Sequence, residues 1–191
     1  MPVKNCKQIS HIVAPQLCTL LNRSFCEGIF PDPLKIARIT PVFKKGVKSD
    51  PSNYRPIASL PFLSKIYERC IANRVISFFD RFLILNPAQF GFQPGKSTTD
   101  ALLRITDFIY NSLNNKESLI NLQIDLRKAF DVVDHTILIN KLFHYGIRGT
   151  QLQWFKSYLA NRQHFVSILN KKSSLKNINI GVPQGSIQSY S

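Results

Sequence analysis

A short apolar run, Leu119-Ile-Asn-Leu-Gln-Ile124, ends on Asp125, and this placement narrows what the chain can build. The run has the length and composition of a buried strand. A lone carboxylate at the mouth of such a strand costs several kcal/mol to desolvate unless a cation pairs with it. Mg²⁺ is one natural partner, because it is hard and favours carboxylate oxygens and phosphates. Phosphoryl transfer by two metal ions needs such a carboxylate on a rigid strand. The competing reading is that Asp125 simply ends the strand and caps the next turn. Phe130, Asp131 and Asp134 follow within the next turn and a half of chain.

The remaining pattern predicts helices and strands that do not strictly alternate. Residues 8 to 28 have helical spacing, with Ile12, Leu17, Leu20, Leu21 and Phe25 apolar and Gly28 as a stop. Ile36 to Phe43 reads as a strand, followed by a basic turn from Lys44 to Pro51. Residues 62 to 83 carry one apolar stripe, which is read as core packing. A Pro- and Gly-rich loop runs from Asn86 to Ser97, after which Ser97 or Thr98 caps a helix to about Leu113. Asp134 can cap a helix from His135 to Tyr145, ended by Gly146. Gln151 to Leu159 is a short helix with the sole tryptophan, and Gln163–Leu169 with Leu175–Ile180 reads as a hairpin. The pattern predicts an α+β fold, an antiparallel sheet with helices packed on one face.

The net charge is +14 in 191 residues, and the pI is about 9.9. From His135 to Ser191 there is no acidic residue, and a second acid-free basic block runs from Pro33 to Ser49. Such a balance suits a polyanion partner better than an acidic small molecule. Cys6, Cys18, Cys26 and Cys70 lack C-x-x-C spacing and the four histidines are scattered, so neither zinc nor a disulfide framework is expected. Cys18 and Cys70 fall on apolar helical positions expected in the core. No apolar run reaches the roughly 18 residues that span a bilayer, and no signal peptide is read at Met1. The expectation is a reduced intracellular setting, cytoplasmic or nuclear, with no membrane association.

A series of segments gives these features a common context. The strand followed by Asp-Leu-Arg-Lys-Ala-Phe-Asp131 resembles the first metal-binding motif of the reverse transcriptase palm in non-LTR, LINE- and jockey-like retrotransposons. Thr40-Pro-Val-Phe-Lys-Lys-Gly46 and Asn53-Tyr-Arg-Pro-Ile57 resemble the fingers motifs, and Leu63-Ser-Lys-Ile-Tyr-Glu68 the helix after them. Gln89-Phe-Gly-Phe-Gln-Pro-Gly-Lys-Ser-Thr98 resembles the loop ahead of the palm. Val133-Asp-His-Thr-Ile-Leu138, Trp154-Phe-Lys-Ser-Tyr-Leu159 and Gly181-Val-Pro-Gln-Gly-Ser186 complete the order. The likeness covers nearly the whole chain. It divides it into an N-terminal helical extension (1–33), a fingers-like region (34–118) and a partial palm (119–191).

The resemblance implies RNA-templated addition of deoxynucleotides to a primer 3′-hydroxyl, with Mg²⁺, or Mn²⁺ in its place. RNA template, DNA primer and deoxynucleoside triphosphates are the implied partners. Asp125 would be the catalytic carboxylate and a ligand of both metal ions, with the carbonyl of Leu126 as a further ligand. Asp131 and Asp134 are mostly structural in the family, and Asp134 has its capping role. Phe130 would pack under the sugar of the incoming nucleotide and reject a 2′-hydroxyl, although an aromatic at this position alone reads equally as core. Lys44 and Arg55 would meet the triphosphate, one as a point charge and one as a planar fork, with Arg38 as a weaker third. Gln184 would touch the nucleotide. Gly185, Gly91, Gly95 and Lys96 would border the template. The Gly-Lys-Ser ending of that loop is not a phosphate-binding loop, since no strand leads into it. His135, His144 and His164 read as surface residues.

The family pattern also breaks. The aromatic-x-Asp-Asp hairpin that supplies the second carboxylate is not found, and no Asp-Asp pair occurs in the 191 residues. One carboxylate strand is half of a two-metal site. A truncated or decayed polymerase fragment, inactive alone, is therefore expected. The alternatives are a non-catalytic basic RNA- or DNA-binding remnant and a group II intron maturase-like protein.

Overall fold

The fold was described from a computed structural model, which describes residues 10–126, 128–169 and 171–183. By internal contacts it divides into two units. One holds residues up to Ile71 together with those from Lys128 onward; the other holds Ala72 to Arg127.

The first unit is organised around aromatic side chains. Helix α1 (Ser10–Glu27) stops at Gly28, whose φ of +68° suits a residue without a Cβ. A Cβ there would lie 2.9 Å from the Thr150 carbonyl oxygen. The chain then turns inward and buries Phe30 completely. Rings of Tyr67, Trp154 and Tyr158 meet Phe30 edge-on at 5.7, 5.4 and 5.1 Å, the arrangement that ring quadrupoles favour. Leu21, Phe25 and Cys70 fill in around them. Trp154 Nε1–H donates to Ser24 Oγ at 3.0 Å, and the Ser24 hydroxyl donates to the Ile29 carbonyl, so the indole's one polar group is satisfied where it is buried. Cys70 is thus beside the core as expected, whereas Cys18 is exposed on α1.

Strand β1 (Ile36–Phe43) pairs antiparallel with β2 (Tyr54–Ser59), Val42 opposite Arg55 and Phe43 opposite Tyr54. Helix α2 (Phe62–Arg81) follows; its residues from Ala72 group with the second unit. Helices α4 (His135–His144) and α5 (Gly149–Leu159) lead into β3 (Arg162–Ile168). β3 pairs antiparallel with β4 (Lys171–Lys172) and β5 (Lys176–Ile178), completing the hairpin read from the sequence. It also pairs with β1, and that pairing is parallel, with Ile36 opposite Gln163 and Ile39 opposite Val166. The α+β class holds, but the sheet is mixed rather than antiparallel. Two parallel strands need a long crossover, and everything from residue 44 to 161 lies between these two in sequence.

A second, polar cluster is buried in this unit. Ser64, Glu68 and Arg162 are almost fully enclosed. Tyr158 joins them: its hydroxyl donates to Glu68 Oε1 at 2.8 Å, its carbonyl accepts from Arg162 Nη1 at 3.1 Å, and its ring lies 4.6 Å from the guanidinium carbon. Burial pushes the Glu68 carboxyl above its usual range, against the hydrogen bonds from Tyr158 and Ser64 and the Arg162 charge.

In the second unit, helix α3 (Thr98–Asn114) opens on a capping box in which Ser97 and Asp100 satisfy each other's backbone N–H groups. These bonds hold the Asp100 carboxyl below its usual range. A cavity of about 360 Å³ is lined by residues that include Phe90, Arg104, Ile105, Phe108 and Ile120. The expected strand at 119–124 is not formed. Ile120, Leu122, Ile124 and Leu126 are exposed, and no described strand pairs with them. A strand is held by its ladder, and a segment without a partner leaves its amides to water.

Candidate functional site

The basic turn after β1 is built by its own side chains. Lys44 N–H donates to Asn53 O at 2.8 Å, which carries the ladder one step past the strand. Asn53 Nδ2 donates to Val47 O, and Tyr54 OH donates to Lys48 O. Gly46, at φ +95°, sits where a Cβ would strike the Asn53 amide. Asp50 accepts from Ser52 N–H at 2.8 Å, which holds its carboxyl below the usual range.

Strand alternation then decides which side chains share a face. Ala37 and Ile39 pack with Ala58 and Leu60 on the core side. Arg38, Thr40 and Val42 take the other side, with Arg55 opposite Val42 and Phe165 opposite Arg38. Lys44, two residues beyond Val42, continues that face. Arg38, Lys44 and Arg55 are all exposed. Among the described residues the ion pairs are Arg23–Glu27 and Lys35–Asp32, so these three cations keep their charge available to a ligand. The structure therefore brings the two expected fingers cations, and the third, onto one open sheet face.

The loop of Phe130 and Asp131 is joined to the Gly181 segment. Gly181 N–H donates to Val133 O and Val182 N–H to Phe130 O, both at 2.8 Å. Gly181 has φ +84°, and a Cβ on it would stand 2.8 Å from the Asp131 carbonyl oxygen. Asp134 takes the capping role read from the sequence, its Oδ1 accepting from Thr136 N–H at 2.7 Å and Ile137 N–H at 3.0 Å. His135, read from the sequence as a surface residue, is instead half-buried, with Nε2 at 2.8 Å from the Gly181 carbonyl oxygen. Its position directly after a helix-capping Asp was the available signal. Gln184 and Gly185 lie outside the described residues.

Asp125 and Leu126 belong to the second unit, exposed in the stretch without regular structure. Among the described residues no group of three potential metal ligands comes together. The described residues thus offer one carboxylate and one carbonyl, which does not make a metal site of their own. In the same unit, Lys96 Nζ donates to the carbonyls of Pro87 and Gln89 at 3.1 and 2.9 Å and lies 5.3 Å from the centre of the Phe90 ring. Its ammonium is therefore already tied into its own loop. Gly95 has φ +75°, and a Cβ on Gly91 or Gly95 would meet nothing within 4 Å.

The sequence profile of the reverse transcriptase (RNA-dependent DNA polymerase) family matches residues 42–191. This chain belongs to the reverse transcriptase family. Among curated relatives, a probable RNA-directed DNA polymerase from transposon BS of Drosophila melanogaster is 39% identical over 178 residues, covering 90% of this chain and 19% of that protein. The RNA-directed DNA polymerase from mobile element jockey of the same species is 36% identical over 173 residues, again 90% and 19%. A probable RNA-directed DNA polymerase from transposon X-element is 36% identical over 159 residues, 83% and 17%. The jockey-like kinship read from the motifs is thereby shown. The chain spans about a fifth of the length of these relatives. No helix among the described residues is long and apolar enough to cross a membrane.

Proposed function

We propose that this chain is the fingers and first palm segment of an RNA-directed DNA polymerase that adds deoxynucleotides to a primer on an RNA template. The observation that carries the reading is the run of Arg38, Lys44 and Arg55 along one exposed sheet face, of which Lys44 and Arg55 fall within the stretch matched by the family profile. A triphosphate carries several negative charges, and preorganised cations are the economical way to bind it. Lys44 and Arg55 would hold the phosphates, and Phe130 would lie against the sugar. Gln184 would contact the nucleotide, while Gly185, Gly91, Gly95 and Lys96 would follow the template. Asp125 and the Leu126 carbonyl would contribute ligands to Mg²⁺ or Mn²⁺, which when bound neutralises developing charge on the phosphates.

The 191 residues alone are proposed to be inactive, since they contain no adjacent pair of aspartates. Primer extension on an RNA template, with Mg²⁺ and then Mn²⁺, tests this against Asp125→Ala. Extension above that control would show that the chain is a complete enzyme. A second reading, a basic RNA- or DNA-binding remnant without catalysis, is favoured by the +14 charge. It separates from the first by nucleotide binding: a remnant binds RNA but shows no preference for deoxynucleoside triphosphates.

A further inference from the structure

Three hydrogen bonds among those of the described residues hold the Gly181 segment to the Phe130 loop and the helix after it. Two are the backbone bonds from Gly181 to Val133 and from Val182 to Phe130. The next residue, Pro183, has no N–H with which to extend the ladder. The third is His135 Nε2 at the Gly181 carbonyl. A carbonyl oxygen only accepts, so Nε2 must carry the hydrogen. Both the imidazolium and the neutral tautomer protonated at Nε2 do so, and the contact therefore survives either charge state. The ring is also rooted on a fixed support, because His135 is the first residue of α4 and the carboxylate of Asp134 caps that helix. The absent Cβ of Gly181 lets the two backbones approach this closely.

We propose that His135 is a positioning residue, which by holding the Gly181 carbonyl keeps the Val182 amide on the Phe130 carbonyl and so sets the loop that presents Phe130 to a nucleotide sugar. This rests on the polymerase reading above. The ring of His135 touches neither the sugar nor the phosphates in this scheme. It acts through the position of Phe130, so its loss should alter the choice between deoxy- and ribonucleotides more than phosphate binding.

The test compares the full chain with His135→Ala, His135→Gln and Gly181→Ala. Glutamine places an N–H donor near where Nε2 stands, so it should restore what alanine removes. Two quantities are read: hydrogen exchange of the Gly181 and Val182 amides, and the ratio of affinities for deoxyguanosine and guanosine triphosphate on an RNA template with a DNA primer. Expected for His135→Ala and Gly181→Ala is about tenfold faster exchange at Val182 and a several-fold smaller affinity ratio, with the Trp154 fluorescence of the core unchanged. His135→Gln should recover most of both. Unchanged exchange in His135→Ala overturns the proposal. So does faster exchange with an unchanged ratio, which would make the contact merely structural. Should wild type bind no triphosphate while exchange responds as expected, the polymerase reading fails with the nucleotide role, and the loop anchor stands.

Discussion

The hydroxyl of Tyr158 donates to Glu68 Oε1 at 2.8 Å across 90 residues of sequence, tying α5 to α2 inside the first unit. Glu68 also accepts from Ser64 at 3.3 Å, while its Oε2 has no hydrogen-bond partner among the described residues. Two groups of Arg162, Nε and Nη2, are likewise unpartnered. The carboxylate and the guanidinium thus share Tyr158 as their link rather than forming a direct ion pair. Tyr158→Phe keeps the ring stack but removes the donor, leaving a buried acceptor to rely on Ser64. The expected loss is about 1–3 kcal/mol, read by urea unfolding through Trp154, the sole tryptophan.

The same carboxyl gives the fold a pH dependence of definite sign. Burial raises the Glu68 pKa in the folded state. Between the ordinary glutamate range and that raised value, the folded state therefore binds more protons than the unfolded one. Its contribution is full below the ordinary range and is lost as pH rises through the raised folded pKa. Glu68→Gln removes this slope, so the difference in stability between variant and wild type should change steadily as pH rises from about 4.3. Parallel stability–pH curves would show that Glu68 does not titrate in this way.

Gly28→Ala tests the entry into the aromatic core. The variant needs a Cβ at positive φ, 2.9 Å from a backbone oxygen that cannot rotate away. A loss of about 1–3 kcal/mol is expected, with α1 and the Phe30 turn loosening first. Thermal unfolding followed by Trp154 fluorescence reads it, because Phe30 and Trp154 pack edge-on at 5.4 Å.

The local elements were legible in the sequence wherever local chemistry decides them. Ser97 and Asp100 form a capping box, Asp134 caps α4, and Gly28 and Gly146 close helices with positive φ. These are interactions within a few residues. The parallel pairing of β1 with β3 is not, since it depends on what lies between residues 43 and 162. Glu68 was also hidden, because a charge inside an apolar stripe resembles a surface position until its long-range partner, Tyr158, is known. The run 119–124 misled for a related reason. Its composition suits a strand, but a strand exists only with a neighbour to bond to. The common face of Lys44 and Arg55 follows from strand register. His135 was misread, because its partner lies 46 residues away.

The open face carrying Arg38, Lys44 and Arg55 predicts a salt response. Each cation that meets a phosphate releases a counterion, so RNA affinity should fall by about 0.7 log units per log unit of salt for each single-strand contact. Lys44→Ala and Arg55→Ala should each flatten that slope by about this amount, without changing sequence preference. Filter binding at several salt concentrations measures it. A slope indifferent to both substitutions would move the nucleic-acid surface away from this sheet face.

Asp125 predicts the opposite kind of result, a substitution without structural consequence. It is exposed, and among the described residues it has no hydrogen bond or ion pair. A carboxylate kept for stability would be expected to cap, pair or accept, as Asp134, Asp32 and Asp100 do. Asp125→Asn and Asp125→Ala should therefore change unfolding free energy by no more than about 0.5 kcal/mol, the range of surface sites without such features. Urea unfolding combined with circular dichroism reads this for the whole chain. A loss of 2 kcal/mol or more, on the scale of about one decade and a half in the folding constant, would assign Asp125 a structural partner and count against its reservation for a cation. A neutral result makes Asp125→Ala a clean control, since any effect on nucleotide binding could then be ascribed to the carboxylate itself.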